Sequence, residues 1–336
     1  MGDPVIRHAR ATAPVRLDFA GGWTDVPPFS SREGGAVVGA AIELRAEAEV
    51  LPGGNCLRLV AEDLGETLEL KGPDELAMNR GLALHRAALR LARLSEPLTL
   101  RTHCEAPAGS GLGSSGAIDV ALVAALAAAT GGSLVPREIA DAACRLEAEE
   151  AKIAGGRQDQ FAAAFGGFTL LRFRNPEVEV VPLRPSAAFA AELARRMVLC
   201  YAGASRFSGS TITRVMLAYE AGDRRVVGAL QRMRCVAEEM VEALRSENLV
   251  RVGALMADNW EQQQALDPAM CTPAMARLDA ALRAAGTLGG KAAGSGAGGC
   301  MFFIAGGDVA AARRAAIETG ARLLPVAWAW EGVRTW

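Results

Sequence analysis

A chain of 336 residues, 51% hydrophobic and 22% charged, is long enough to bury a sizeable core in one large or two medium domains. A net charge of −2 and three histidines (His8, His85, His103) give no support for a nucleic-acid surface or a histidine-rich metal site, so a small molecule is the expected partner. The seven cysteines (Cys56, Cys104, Cys144, Cys200, Cys235, Cys271, Cys300) are scattered, odd in number and never spaced C-x-x-C, and "MGDPVIRHAR" has no apolar signal core; reduced thiols in a cytoplasmic protein without a membrane span are expected.

In chain order, "APVRLDFAGGWTDVPPF" alternates Val15, Leu17, Phe19 with Arg16, Asp18, Ala20. That pattern predicts a strand ended by Gly21-Gly22, with Arg16 and Asp18 on one face. "AVVGAAIEL", "AEAEVLPG", "CLRLVAED" and "LTLRTHCEA" read as further strands. "GSGLGSSGA" then runs into good helix formers from Ala117 to Ala129, closed by Gly131 and Gly132. The helix is nearly free of polar residues and should be buried. A glycine-rich turn before a helix leaves backbone N–H groups and a positive dipole end for an anion. Gly111, Gly113 and Gly116 spell G-x-G-x-x-G, but the dinucleotide reading needs a parallel strand next and an acidic residue about twenty positions on. The next segment is instead a second helix, with Ile139, Ala143, Leu146 and Ala151 on one face. The loop is therefore a phosphate cradle of another kind.

"GGFTLLRF" and the proline-bearing "NPEVEVVPLRPS" read as the last strands before a domain boundary. Beyond it come a strand "RMVLCYAG", four helices over 210–286, a glycine-dense loop "GGKAAGSGAGG", a strand "CMFFIAGG", a helix from Asp308 and a strand around "ARLLPVAWA". Strands interleaved with helices in both halves predict an α+β protein of two domains, 1–186 and 187–336.

Three segments in this order resemble the three motifs of the GHMP kinase superfamily: "APVRLDFAGGWTDVPPF", "PAGSGLGSSGA" and "GGKAAGSGAGGCMFF", with "GGRQDQFAAAFGG" between the last two. The resemblance covers almost the whole chain. It departs at Gly116, where alanine is usual, and at Ser295 and Ala297; these small-for-small changes should leave the loops intact, Ala297 being strained if its φ is positive. The resemblance implies an N-terminal ATP-binding domain with a left-handed βαβ unit, a C-terminal ferredoxin-like domain, and a site between them. "FAGGWTDVPP", "GGRQDQFAAAFGGF" and "GGK" look most like the sugar kinases acting on D-glycero-D-manno-heptose 7-phosphate and L-fucose, which phosphorylate the anomeric hydroxyl. Galactokinases carry a Glu-His pair at Gly22-Trp23.

By that resemblance the cofactors are ATP and Mg²⁺. Pro107, Gly109, Ser110, Gly111, Leu112, Gly113, Ser114 and Ser115 would cradle the nucleotide phosphates, with Ser115 and Glu147 as magnesium ligands. Glu149 and Glu150 compete with Glu147, which lies twelve residues before Asp159. Asp159 matches the catalytic aspartate and Arg16 the arginine beside it, against the plainer alternative of a strand-face salt bridge between Arg16 and Asp18. Asp25, Trp23, Arg157, Arg206, Gly294, Ser295 and Gly296 are the expected substrate contacts; Arg206, in "YAGASRFSGSTI", and Arg157 are candidates for a distal substrate phosphate, and Lys291 could reach a phosphate. The expected activity is an ATP-dependent sugar 1-kinase. Heptose 7-phosphate is preferred over fucose because no nucleotidyltransferase domain is attached. A non-catalytic sugar and nucleotide sensor, or a decarboxylase of the mevalonate branch, are the rivals; a homodimer stays open.

Overall fold

The structure, a computed structural model, describes residues 6–77, 81–152, 155–203 and 209–336. The first half runs β1 (Ala9–Ala20), α1 (Phe29–Arg32), β2 (Gly35–Pro52), β3 (Leu57–Ala61), β4 (Glu66–Leu70), α2 (Ala83–Ala92), β5 (Leu98–Cys104), α3 (Ser114–Ala129), α4 (Pro136–Arg145), α5 (Gln158–Phe165), β6 (Phe168–Arg174) and β7 (Glu177–Leu183). The second runs α6 (Ala187–Arg196), β8 (Met197–Tyr201), α7 (Gly209–Glu220), α8 (Arg224–Arg245), α9 (Leu249–Leu266), α10 (Pro273–Ala284), β9 (Thr287–Ala292), β10 (Cys300–Ala305), α11 (Val309–Glu318), β11 (Arg322–Leu324) and β12 (Arg334–Thr335).

Eight strands form the first sheet, along the path β12-β1-β2-β5-β3-β4, with β6 on β2 and β7 on β6. All its pairs are antiparallel except β3 with β5, whose crossover passes through β4 and α2. The segments expected as two strands over 36–53 are one strand, β2. Its first part pairs with β6 and its last part with β5. A register shift against β1, where Pro14 opposes Arg45 but Val15 opposes Ile42, separates the two parts. A bulge lets one strand change neighbours without breaking.

The second sheet has the order β11-β8-β10-β9, antiparallel throughout. With its helices between β8 and β9 and between β10 and β11, this is the ferredoxin-like arrangement that the resemblance implied. β9 runs into the stretch expected to be loop, for a packing reason: a Cβ at Gly289 would stand 1.9 Å from the Gly253 carbonyl oxygen of α9, and one at Gly290 2.0 Å from the Phe303 ring. Glycines here let a helix and a ring close on a strand, so the composition resembles a loop.

α3 packs against β1 and β2. Val120, Leu122 and Leu126 are buried there, each worth about 1.5–3 kcal/mol of apolar burial. One apolar core runs from β1 and α3 through Met240 of α8 and Met256 of α9 to Phe302 of β10. The chain's tail also returns to the first sheet: Trp328 bridges Ile42 and donates Nε1–H to the Ala190 carbonyl at 2.7 Å, and β12 pairs with β1. No helix among the described residues is long and apolar enough to cross a membrane.

Candidate active site

The turn from β5 into α3 follows from its glycines. Gly109, Gly111 and Gly113 have φ of 66°, 74° and 80°, and Gly113 caps α3 without a side-chain partner, so the helix's first N–H groups face outward. The third motif packs on this loop backbone to backbone. A Cβ at Gly111 would lie 2.5 Å from the Ala293 oxygen, and one at Gly294 2.5 Å from the Gly111 oxygen. Cys300 N–H donates to the Ser110 carbonyl at 2.7 Å, while Arg16 donates its N–H to Leu112 O (2.9 Å) and Nη1 to Gly111 O (2.7 Å). The loop is thus fixed on both sides and open toward a cleft of about 400 Å³ lined by Arg16, Trp23, Asp25, Ser115, Glu147 and Asp159 among others.

Arg16 and Asp159 meet in this cleft. Arg16, 5% exposed, donates Nε to Oδ1 of Asp159 at 2.8 Å, and its Nη2 lies 2.7 Å from the same oxygen as an ion-pair contact. Burial alone would lower the arginine's pKa, but Asp159 and Asp18 more than offset it and hold it raised. Asp159, in the first turn of α5, lies against the start of α3: a Cβ at Gly116 would stand 2.5 Å from the Asp159 Cβ. The glycine that replaces the usual alanine therefore sets the approach of α5, which is more than a neutral change.

Asp25, 1% exposed, accepts from Gln158 N–H (3.1 Å) and Gln158 Nε2 (3.2 Å). Burial pushes its carboxyl up to about 6, against the Gln158 N–H and with help from the Asp159 charge. Trp23 lines the same cleft and packs with Val26, Phe29 and Met233; its φ of 80° is a strained backbone for a bulky residue. Ala297 likewise has φ 59°, so the strain anticipated for that position is present.

Among the three competing glutamates, the geometry separates Glu147. A π-turn over Leu146–Glu150 follows α4 and places Glu147 on the cleft wall. Its Oε2 accepts from Gln160 Nε2 at 2.6 Å, and the Ser115 hydroxyl also hydrogen-bonds it. Burial, then the Asp159 charge, raise it to about 7. Glu149 is exposed, and Glu150 pairs with Arg90 at 3.1 Å. Behind Glu147 lies a carboxyl that no sequence motif marks, Asp119 of α3: it is fully buried, and burial followed by the Glu147 charge pushes it well above the usual carboxylate range.

Several expectations change. Asp18 does not pair with Arg16; it takes the wholly buried Lys291, whose Nζ donates to Asp18 Oδ1 (2.9 Å), Asp18 O (2.8 Å) and Ala292 O (2.9 Å). Lys291 therefore reaches no phosphate: its three donors are used inside the protein. Arg157 turns away from the cleft, donating to Pro176 O at 2.7 Å with its guanidinium over the Phe173 ring. The side chain of Leu112 is buried as the loop's anchor, and Pro107 and Gly296 do not line the cleft, whereas Gly294 and Ser295 do. Arg206 lies outside the described residues.

Two further amides were missed. Asn259 Oδ1 accepts from Gly21 N–H at 2.8 Å, and Gln263 Nε2 donates to Gly294 O at 2.9 Å. One turn apart on α9, they hold the first and third motifs together; the sequence shows only a pair of amides at i, i+4, and that both are 1% exposed is seen in the fold alone.

The family comparisons agree with this architecture. The GHMP kinases N terminal domain matches residues 81–167 and the GHMP kinases C terminal domain residues 240–322, together about half of the chain. The chain belongs to the GHMP kinases. It is 29% identical over 306 residues to the D-glycero-alpha-D-manno-heptose 7-phosphate kinase of Campylobacter jejuni, covering 89% of this chain and 90% of that one. It is 28% identical over 286 residues to the bifunctional fucokinase/GDP-fucose pyrophosphorylase of Arabidopsis thaliana, covering 78% of this chain and only 26% of that protein. Among solved structures, a D-glycero-D-manno-heptose 1-phosphate kinase from Bacteroides thetaiotaomicron superposes with a TM-score of 0.81 at 25% identity over 98% of both chains.

Proposed function

We propose that this chain is an ATP-dependent sugar 1-kinase, with D-glycero-D-manno-heptose 7-phosphate as its first candidate substrate. The observation that carries the reading is the Arg16–Asp159 pair set against the open N–H groups of the glycine loop in one cleft. Phosphoryl transfer asks a protein for positioning and for neutralised phosphate charge, and little else. The residues fit a magnesium nucleotide: the loop's close backbone contacts would be filled by any side chain at Gly111, and Ser115 and Glu147 supply hard oxygen donors on one wall. Bound there, magnesium would neutralise charge on the transferring phosphates.

The chain's own residues then divide the work. The loop N–H groups from Gly109 to Ser115 bind the phosphates. Asp25 accepts from the sugar hydroxyls and orients the ring. Arg16 occupies Oδ1 of Asp159, which leaves Oδ2 to take the proton of the anomeric hydroxyl. That hydroxyl's oxygen forms the new bond to the γ-phosphorus as the bond to the β-phosphate oxygen breaks, giving the sugar 1-phosphate and ADP.

The likeness to heptose phosphate kinases along nearly the whole chain supports the heptose substrate. One observation favours the second reading, L-fucose: among the described residues lining the cleft the only cation is Arg16, and it is used on Asp159. A distal phosphate would then depend on Arg206. Coupled-assay ATP consumption with the heptose phosphate, L-fucose, galactose and mevalonate decides between them. The heptose reading expects turnover of the phosphorylated sugar, and a Michaelis constant for it about tenfold higher in Arg206→Ala, the cost of one charged hydrogen bond. Turnover of fucose alone overturns it.

A further inference from the structure

The described residues form a second cavity, of about 470 Å³, which shares no lining residue with the cleft. Four arginines line it, Arg32, Arg172, Arg174 and Arg234, against two glutamates, Glu33 and Glu238. Two elements bring most of these charges together. Arg172 and Arg174 alternate on β6 and so share a face, while Arg234 and Glu238 lie one turn apart on α8. Gly35, in the cavity wall, packs on the first motif: a Cβ there would stand 2.1 Å from the Thr24 oxygen, and the next residue, Asp25, belongs to the cleft. The two hollows are neighbours with separate linings.

The carboxylates do not use up these cations. Both Glu238 oxygens are taken by Arg172, which donates Nε and Nη2 at 2.9 Å each. Glu33 accepts from neutral donors, the Tyr219 hydroxyl at 2.8 Å and Gln231 Nε2 at 2.9 Å, and Arg32 pairs with Glu220 at 2.8 Å. Among the described residues no carboxylate lies in ion-pair reach of Arg174 or Arg234. Arg234 is nevertheless held in place: Nη1 donates to the Glu33 carbonyl at 2.6 Å, and the guanidinium lies 6.0 Å from the centre of the Phe29 ring. Arg174 is exposed. Two guanidinium forks are thus left for an anion from outside, and the Ser30 and Ser31 hydroxyls in the same lining add donors. In charge the two hollows are opposites, since the cleft sets Asp25, Glu147 and Asp159 against Arg16 alone.

We propose that this cavity is a second anion site, separate from the cleft, which takes a phosphate group, free or carried on a small ester, through Arg174 and Arg234. A dianion matches two unpaired guanidinium groups in charge, and each fork offers parallel N–H groups to two phosphate oxygens. A single carboxylate would answer one fork and leave the other.

Isothermal titration calorimetry without magnesium tests it, with inorganic phosphate and glucose 6-phosphate as probes, at about 0.15 M salt so that unspecific attraction is screened. The better probe is expected to bind with a dissociation constant of about 1 mM or tighter. Arg174→Ala and Arg234→Ala should each weaken it about tenfold or more, the loss of one charged hydrogen bond. Arg58→Ala, which removes an exposed arginine of β3, should leave it unchanged. Because Arg174 is exposed, its variant tests the site even if Arg234→Ala, which loses the bond to the Glu33 carbonyl, fails to fold. Binding of inorganic phosphate alone identifies the free ion as the ligand, and tighter binding of glucose 6-phosphate identifies an ester; either supports the site. No saturable binding at about 10 mM overturns the inference. So does binding that Arg174→Ala leaves intact, which would put the anion on the glycine loop, or an equal loss in Arg58→Ala.

Discussion

Two ion pairs are built on alternate residues of one strand face, Arg16 and Asp18, and they differ in how complete they are. Lys291 and Asp18 are 0% and 1% exposed; all three ammonium donors are placed, and Asp18 Oδ1 also takes the Gly294 N–H at 3.3 Å. The Arg16 and Asp159 side chains are 6% and 24% exposed, and Asp159, which lines the cleft, has only Oδ1 in the pair. A charge whose partners are all supplied by the protein holds structure together, here the first motif to the third. A charge left with an open valence is available to a ligand. Sequence places Arg16 and Asp18 two residues apart and equal; only the fold gives them different work.

The closed pair is where substitution should cost most. Removing one member of a buried pair strands the other, at about 3–5 kcal/mol. Lys291→Met should lower stability by that order in denaturant unfolding, and Asp18→Asn combined with it should recover a large part. If Lys291→Met costs under about 1 kcal/mol, the pair is not the pin between the motifs.

The open side should show itself in cofactor demand. Glu147→Gln is expected to raise the Mg²⁺ concentration for half-maximal activity about tenfold, the loss of one charged ligand, while Glu149→Gln leaves it unchanged. Magnesium titration of activity is the measurement, and the reverse order would transfer the ligand role to Glu149.

Asp25 sharpens the contrast through pH. Its folded pKa, about 6, is raised above the ordinary aspartate value, so the charged form is the disfavoured one. Any stability it contributes is complete below about pH 4 and is lost as the pH rises through about 6. On the proposed function sugar binding has the opposite sign, because there the ionised carboxylate would be the acceptor: the Michaelis constant for sugar should climb severalfold as pH falls below about 6. In Asp25→Asn that pH dependence should vanish, and its persistence would place the titrating group elsewhere.

Much of this was legible in the sequence. The glycine spacing from Gly109 to Gly113 and the helix after it are local patterns, and Asp159 in "GRQDQF" was marked by the resemblance, though its partner Arg16 lies 143 residues earlier. What was illegible depended on partners far away. Lys291 reads as a phosphate-seeking lysine until Asp18, more than 270 residues earlier, is found against it. Arg157 adjoins the base in sequence, yet Pro176 and Phe173 draw it off. β9 was hidden because its glycines answer to α9 and Phe303, and Asp119 because one acid in an apolar helix gives no periodic signal.

On the proposed function, the open Arg16–Asp159 pair carries phosphoryl transfer while its closed neighbour carries structure. Asp159→Asn tests this most directly, with turnover and ATP binding measured on the same folded preparation. General-base assistance is worth about 10²–10⁴-fold, so turnover should fall by about a hundredfold or more while the ATP dissociation constant changes by no more than about twofold. Turnover within about threefold of wild type would contradict the claim.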